Sequence, residues 1–172
     1  MKKSITLLLV IALIAACTGC GRASGNETTP PAEPEATPAP APTPTPAPQE
    51  PTIALIVANR DFNYEEYSEC QAVFMLDGYE IVTAGQQTGT AVSMDGHEEP
   101  VDTLIGSLDI DRLDALVVIG GSGASALYDD TSLHTLLKAA YSAGKPVAAI
   151  CMGPVTLAEA GLLSDRQATV YP

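Results

Sequence analysis

Basic residues are scarce in this 172-residue chain, with 8 Lys and Arg against 21 Asp and Glu and a formal charge of −13 at pH 7. From Thr52 to Pro172 there are 17 acids and 5 bases, so that stretch alone carries −12. Phosphate backbones and anionic surfaces repel such a charge. Aromatics make up only 5% of the chain, and no basic cluster or aromatic–basic interleaving offers a counter-site, so nucleic-acid binding is excluded. The acidity reads as solubility. Cysteine is also sparse. Of four, Cys17 and Cys20 sit near the N-terminus, leaving Cys70 and Cys151. Two thiols make no disulfide scaffold, and their spacing carries no metal-ligand motif. A bond between them requires an oxidising compartment and permissive geometry; core packing is the default for Cys70. Long hydrophobic runs are absent as well. The apolar stretch from Ile5 to Ala16 falls short of the ~20 residues that a spanning helix needs.

That stretch follows Met1-Lys2-Lys3 and ends in small residues, which reads as a secretion signal over 1–20. Ile14-Ala15-Ala16-Cys17 resembles a bacterial lipobox, implying a lipid on Cys17 as the mature N-terminus and an extracytoplasmic, membrane-anchored protein. Cys20, after Thr18-Gly19, is the alternative site, and a cleaved signal without lipid also stays open. Residues 21–51 turn to Pro, Thr, Ala and Glu, centred on Thr37-Pro38-Ala39-Pro40 and its continuation to Pro48. Alternating proline favours an extended polyproline helix with little to bury, which makes this a semi-rigid spacer. Thr52 to Pro172 then has the length of one globular domain.

Within it, apolar runs at Ile53–Ala58, Tyr79–Ala84, Ala115–Ile119 and Val147–Ile150 predict buried strands. Helices are expected from about Glu65 to Asp77, closed by Gly78, and from about Ser132 to Ala143, where Leu133, Leu136, Leu137, Ala140 and Tyr141 share a face. Asp95-Gly96 suits a hairpin turn between Val92–Met94 and Glu98–Val101. Ala168–Pro172 looks like a further strand just begun. Strands alternating with helices predict an α/β fold with a parallel sheet between helical layers, and ligand chemistry at the strand carboxyl ends.

The run Val147-Ala148-Ala149-Ile150-Cys151-Met152-Gly153-Pro154 is a strand that stops at a thiol and turns at once into a helix. Such an elbow lifts a nucleophile above the sheet edge, where the following N–H groups can hold an oxyanion. Free cysteine is also commonly buried for structural reasons. Gly121-Ser122-Gly123-Ala124-Ser125-Ala126 loosely fits a dinucleotide fingerprint, but it follows a late strand and lacks an acidic residue about 20 positions on, so no cofactor is expected.

Ala149-Ile150-Cys151-Met152-Gly153-Pro154, the following Leu157-Ala158-Glu159-Ala160-Gly161-Leu162-Leu163, the Ala168–Pro172 end and Gly120-Gly121 after a strand together resemble the DJ-1/PfpI family. The resemblance implies a flavodoxin-like fold within the class I glutamine amidotransferase-like group and a homodimer. It also implies a chain truncated at its C-terminus, because family members continue beyond the matching Tyr-Pro. By the same resemblance a glutamate of the first helix stands beside the thiol. Counting back from Gly78 puts it at Glu66 rather than Glu65, although a carboxylate at a helix start also complements the helix dipole. Gly121 and Met152 would supply oxyanion-holding N–H groups.

The protease-like branch carries His where Met152 stands, and some relatives carry His at the position of Tyr171, so peptide hydrolysis is disfavoured. His97 and His134 read as surface residues. What survives is a Cys151 thiolate acting on small electrophiles, by glyoxalase- or deglycase-like carbonyl chemistry or by peroxide sensing. A non-catalytic binding lipoprotein, or an inactive fragment, is the alternative.

Overall fold

The computed structural model describes residues 50–171. Its elements are β1 (Thr52–Ile56), β2 (Arg60–Phe62), α1 (Tyr64–Leu76), β3 (Glu80–Gly85), β4 (Gly89–Ser93), β5 (Glu98–Val101), β6 (Thr103–Leu104), β7 (Ala115–Val118), α2 (Thr131–Ser142), β8 (Val147–Ala149) and α3 (Pro154–Glu159). Short 3-10 turns occupy Ile105–Ser107, Ile110–Arg112 and Ser122–Leu127.

Five strands form one parallel sheet in the order β6-β3-β1-β7-β8. The central strand β1 is buried along its whole length, as a parallel strand covered on both faces must be. Its side chains alternate between two cores. Ala54, Ile56 and Ala58 pack with Leu116, Val118 and the α2 residues Leu133, Leu136, Leu137 and Ala140, together with Leu157 and Ala160 from the α3 side. Ile53, Leu55 and Val57 pack with Val117, Ile119, Phe62 and Tyr67 on the opposite face, where Cys70 and Phe74 of α1 join them. The fold is therefore α/β with a flavodoxin-like sheet flanked by helices on both sides.

The helices stop where local chemistry requires it. After α1, Gly78 at φ 88° accepts the left-handed conformation that a side chain would resist. The Asp-Gly hairpin forms as expected, with β4 and β5 antiparallel and Gly96 at φ 86°. Three features depart from the sequence reading. Arg60–Phe62, between the expected first strand and first helix, is a strand paired parallel to β4, so the hairpin belongs to a second, three-stranded sheet. At the edge of the main sheet, β8 leaves Ile150 40% exposed rather than buried. Residues 168–171 are exposed and non-regular rather than a strand, tied down by the Tyr171 N–H donating to the Cys151 carbonyl at 3.0 Å.

The chain runs from β1 outward to β3 and β6, then returns to the other side of β1 for β7 and β8. That reversal opens a crevice at the carboxyl ends of β1 and β7, the place where such sheets bind ligands.

Candidate active site

Three loops meet at this crevice, one from each of β1, β7 and β8. The first passes through β2 to Asn63, the N-cap of α1, in the sequence Asn63-Tyr64-Glu65-Glu66. An Asn and a Glu three positions apart form a capping pair. The Glu66 N–H donates to Asn63 Oδ1 at 3.2 Å, and Asn63 Nδ2 donates back to Glu66 Oε1 at 2.7 Å. The other carboxylate oxygen, Oε2, accepts the Gly120 N–H at 3.0 Å, across to the loop after β7. Glu65 is exposed. The helix-start role and the reach toward the thiol site are thus both carried by Glu66, one on each oxygen.

Cys151 occupies the elbow after β8. Its φ is 57°, a left-handed conformation that costs a non-glycine residue roughly 1–3 kcal/mol and must be imposed by its surroundings. The turn that imposes it is closed by the Gly153 N–H donating to the Ile150 carbonyl at 2.8 Å. No larger residue fits at 153, because a Cβ there would lie 2.6 Å from the Val118 carbonyl oxygen. Pro154 then starts α3, where its missing N–H is not needed. The thiol residue is half-buried.

Gly120 joins the two groups. A Cβ added to it would stand 2.6 Å from Cys151 Cβ and 2.7 Å from Glu66 Oε2. Two such radii about one point put the carboxylate oxygen within about 5.3 Å of the cysteine Cβ. No hydrogen bond among the described residues joins the Cys151 sulfur to that carboxylate, so the two are neighbours that are not bonded. Catalytic contacts are often loose until a substrate tightens them. Gly121, at φ 100° and ψ 166°, lies in a region open essentially to glycine alone, and a Cβ there would meet Asn63 N and Asp61 O at 2.5 Å. Among the described residues no hydrogen bond uses the N–H of Gly121 or Met152, which leaves both free for an oxyanion.

The remaining candidates lie apart. His97 is exposed but not loose: its ring stacks on Tyr64 with centroids 4.1 Å apart, and Nε2 is 3.3 Å from Asp95 Oδ2. Asp95 in turn is held below the usual carboxylate range, chiefly by the Ser93 hydroxyl. His134 is half-buried rather than at the surface, its Nε2 donating to the Tyr128 carbonyl at 2.7 Å. Cys70 and Cys151 are both free thiols. Burial, then the charges of Glu66 and Glu69, push the Cys70 thiol up. Cys17 and Cys20 lie outside the described residues. The cleft of about 350 Å³ beside Gly85, Gln86 and Asp130 is lined by neither Cys151 nor Glu66, so reactive chemistry and cavity size point to different places. Sequence reasoning missed Asn63 and the part played by Gly120; Asn-x-x-Glu at a helix start was the signal for the first.

The fold has counterparts among known proteins. The DJ-1/PfpI family model matches residues 51–172. An uncharacterized protein of Methanocaldococcus jannaschii is 37% identical over 121 residues, covering 70% of this chain and 59% of that protein. A deglycase of Pyrococcus horikoshii is 33% identical over 96 residues, 56% of this chain and 58% of the relative. Of solved structures, the ThiJ/PfpI domain protein from Brachyspira murdochii aligns with a TM-score of 0.65 at 31% identity, covering 67% of each chain. The chain spans only 59% and 58% of the lengths of the two curated relatives. With the match running from just before β1 through the elbow to the last residue, the chain belongs to the DJ-1/PfpI family.

Proposed function

We propose that this protein uses the Cys151 thiolate on small carbonyl electrophiles, in glyoxalase- or deglycase-like chemistry. The observation that carries the reading is the packing of Cys151 and Glu66 against the same side of Gly120. A thiol needs a group that moves its proton, and the carboxylate is the titratable side chain found beside it. In the reaction the cysteine sulfur forms a bond to the aldehyde carbon and the carbonyl π pair moves onto oxygen. The proton lost from sulfur passes through Glu66 to that oxygen, giving a hemithioacetal with atoms and charge in balance. The N–H groups of Gly121 and Met152 steady the oxygen while it is negative. Support comes also from the deglycase of Pyrococcus horikoshii at 33% identity. Peptide hydrolysis is disfavoured, since Met152 stands where an elbow imidazole would be needed. In this reading the chain needs no cofactor and binds no nucleic acid. It pairs with a second copy of itself and is held at the outer face of a bacterial membrane by a lipid on Cys17, with Cys20 as the alternative.

The test is methylglyoxal consumption by the full chain. The parent should consume it, Cys151→Ala should not, and Glu66→Gln should be slower by about 10²–10⁴-fold, as for loss of a positioned acid–base group. A parent no faster than buffer, or a Cys151→Ala variant as fast as the parent, overturns the carbonyl reading. Oxygen gained at Cys151 on peroxide treatment, without carbonyl turnover, would replace it by peroxide sensing. An inert thiol in a chain that still binds a partner would indicate the non-catalytic alternative.

A further inference from the structure

β2 carries a residue that neither the fold nor the proposed chemistry uses. Its ladder with β4 slips by one position: Arg60 pairs with Val92 and Phe62 with Ser93, which leaves Asp61 between them without a partner. Such a β-bulge bends a strand and re-aims a side chain, often beside an active site. Asp61 takes φ 56°, a left-handed conformation in which glycine would sit without penalty. A bond from the carboxylate to nearby backbone could offset that cost. Among the described residues, however, the Asp61 carboxylate makes no hydrogen bond and no ion pair, and the residue is exposed. Local structure therefore gives no reason for a side chain at this position.

Its location does. The Asp61 carbonyl oxygen would stand 2.5 Å from a Cβ on Gly121, and the Asp61 carbonyl carbon 3.1 Å from one on Gly123, so the bulge lies directly against the loop that presents the oxyanion donor. The other two loops of the crevice, 119–128 and 150–158, contain no charged residue. Charge at the rim comes from the first loop. There Glu66 already has both oxygens bonded, to Asn63 and Gly120, and Glu65 is turned about 100° from it around α1. We propose that Asp61 is a specificity-determining residue: its carboxylate favours electrophiles that carry a positive charge, such as aldehydes bearing an ammonium group, and disfavours those that carry a carboxylate. The reaction class rests on the function proposed above, but charge selection at the thiol can be read without turnover. Attraction of a cation and repulsion of an anion add in the ratio of their rates.

The probes are 2-(trimethylammonio)ethyl and 2-sulfonatoethyl methanethiosulfonate, a cation and an anion of similar size. Each forms a disulfide with the Cys151 thiolate and releases methanesulfinate. Peptide mass mapping of the full chain reads Cys151 apart from the other three cysteines, and dividing the cation rate by the anion rate cancels changes in thiolate content or access. The parent ratio should exceed that of a free cysteine peptide about 10-fold, and salt near ~1 M should erase the excess. Asp61→Asn, as tolerant of the left-handed backbone as aspartate, should lower the ratio about 3- to 10-fold, and Asp61→Gly, which also relieves the strain, should lower it equally. Glu80→Gln removes the same charge at the amino end of β3, the opposite end of the sheet, and should keep the parent ratio. A parent ratio no higher than the peptide's, a ratio unchanged in Asp61→Asn or Asp61→Gly, or one lowered as far by Glu80→Gln overturns the proposal. In turnover, the parent's preference for methylglyoxal over glyoxylate should shrink by the same factor in Asp61→Asn, and an undiminished preference counts against it. A parent without carbonyl turnover but with an Asp61-dependent probe ratio would refute the function and leave the charge selection standing.

Discussion

Gly120→Ala tests the central geometry more directly than removal of either reactive group. The added methyl would lie 2.6 Å from Cys151 Cβ, 2.7 Å from Glu66 Oε2 and 3.0 Å from the Ile150 carbonyl oxygen. The first is part of an elbow already held in a left-handed conformation, the third is backbone, and only the carboxylate can retreat easily. Its retreat breaks the Gly120 N–H bond to Oε2. Overpacking of a close-packed site typically costs 1–3 kcal/mol, so stability should fall by about 2 kcal/mol. For a domain near 120 residues that is a Tm lower by roughly 8 °C, read by thermal unfolding of the full chain. Turnover of methylglyoxal should fall well beyond what the stability loss explains, because the displaced group is the proposed proton carrier. Gly144→Ala is the control: its φ is 74° and a Cβ there meets nothing within 4 Å, so it carries only the left-handed penalty of about 1 kcal/mol and no effect on turnover. A Gly120→Ala protein as stable and as active as the parent, or less affected than Gly144→Ala, would refute the placement of Glu66 and Cys151 about this glycine.

Two further predictions concern groups near α1. Tyr67 is fully buried, its hydroxyl bonded with Thr83, Glu99 and Gln71. Burial foremost raises its pKa above the ordinary tyrosine value, with Glu99 adding to the effect and the Thr83 bond opposing it. A raised folded pKa contributes stability in full below the unfolded value near ~10, and that contribution is lost as pH climbs from there toward the folded value. Tyr67→Phe should therefore cost about 1–3 kcal/mol at neutral pH by orphaning its partners, and should flatten the fall of Tm above pH ~10; an alkaline limb as steep as the parent's would count against it. Cys70, pushed up by burial and two carboxylates, should be alkylated by iodoacetamide only at pH above the usual thiol range near ~8.5. Peptide mass mapping of the parent checks this, and rapid labelling of Cys70 at neutral pH would contradict it.

The parts legible in sequence were those whose signal is local. β1, β3, β7 and β8 announce themselves as short apolar runs, β1 and β7 because strands buried on two faces have no polar alternation, and Gly78 and Asp95-Gly96 mark turns that need positive φ. The elbow was legible because Cys-Met-Gly-Pro after such a run has few other uses. β2 was not. Arg60 and Asp61 are exposed and polar, and only the distant pairing of Arg60 with Val92 and of Phe62 with Ser93 makes the segment a strand. The exposure of Ile150 was hidden for the same reason: a run of apolar residues does not say whether its strand lies inside the sheet or at its edge. His97 and Met94 read as ordinary hairpin residues, since nothing in their spacing shows that the turn folds back onto Tyr64 and Ser122.

The distribution of histidines limits what the site can do. His134 is bound to the Tyr128 carbonyl, and His97 is stacked on Tyr64 with its Nε2 at Asp95. Met152 fills the position beside the thiol. Hydrolysis of a peptide requires a proton delivered to a departing amine as well as one removed from the nucleophile, a task for which a neighbouring imidazole is suited. Addition of a thiol to an aldehyde has no leaving group: one proton moves from sulfur to oxygen, and one carboxylate can carry it. In the proposed reaction Glu66 has that limited role. Asn63 holds one oxygen and the α1 N-terminus, Gly120 holds the other and touches the cysteine, and the same glycine opens the loop that presents Gly121. In the proposed reaction, proton carrier, nucleophile and oxyanion donor are therefore coupled through one residue without a side chain, which is why a single methyl there should disturb all three.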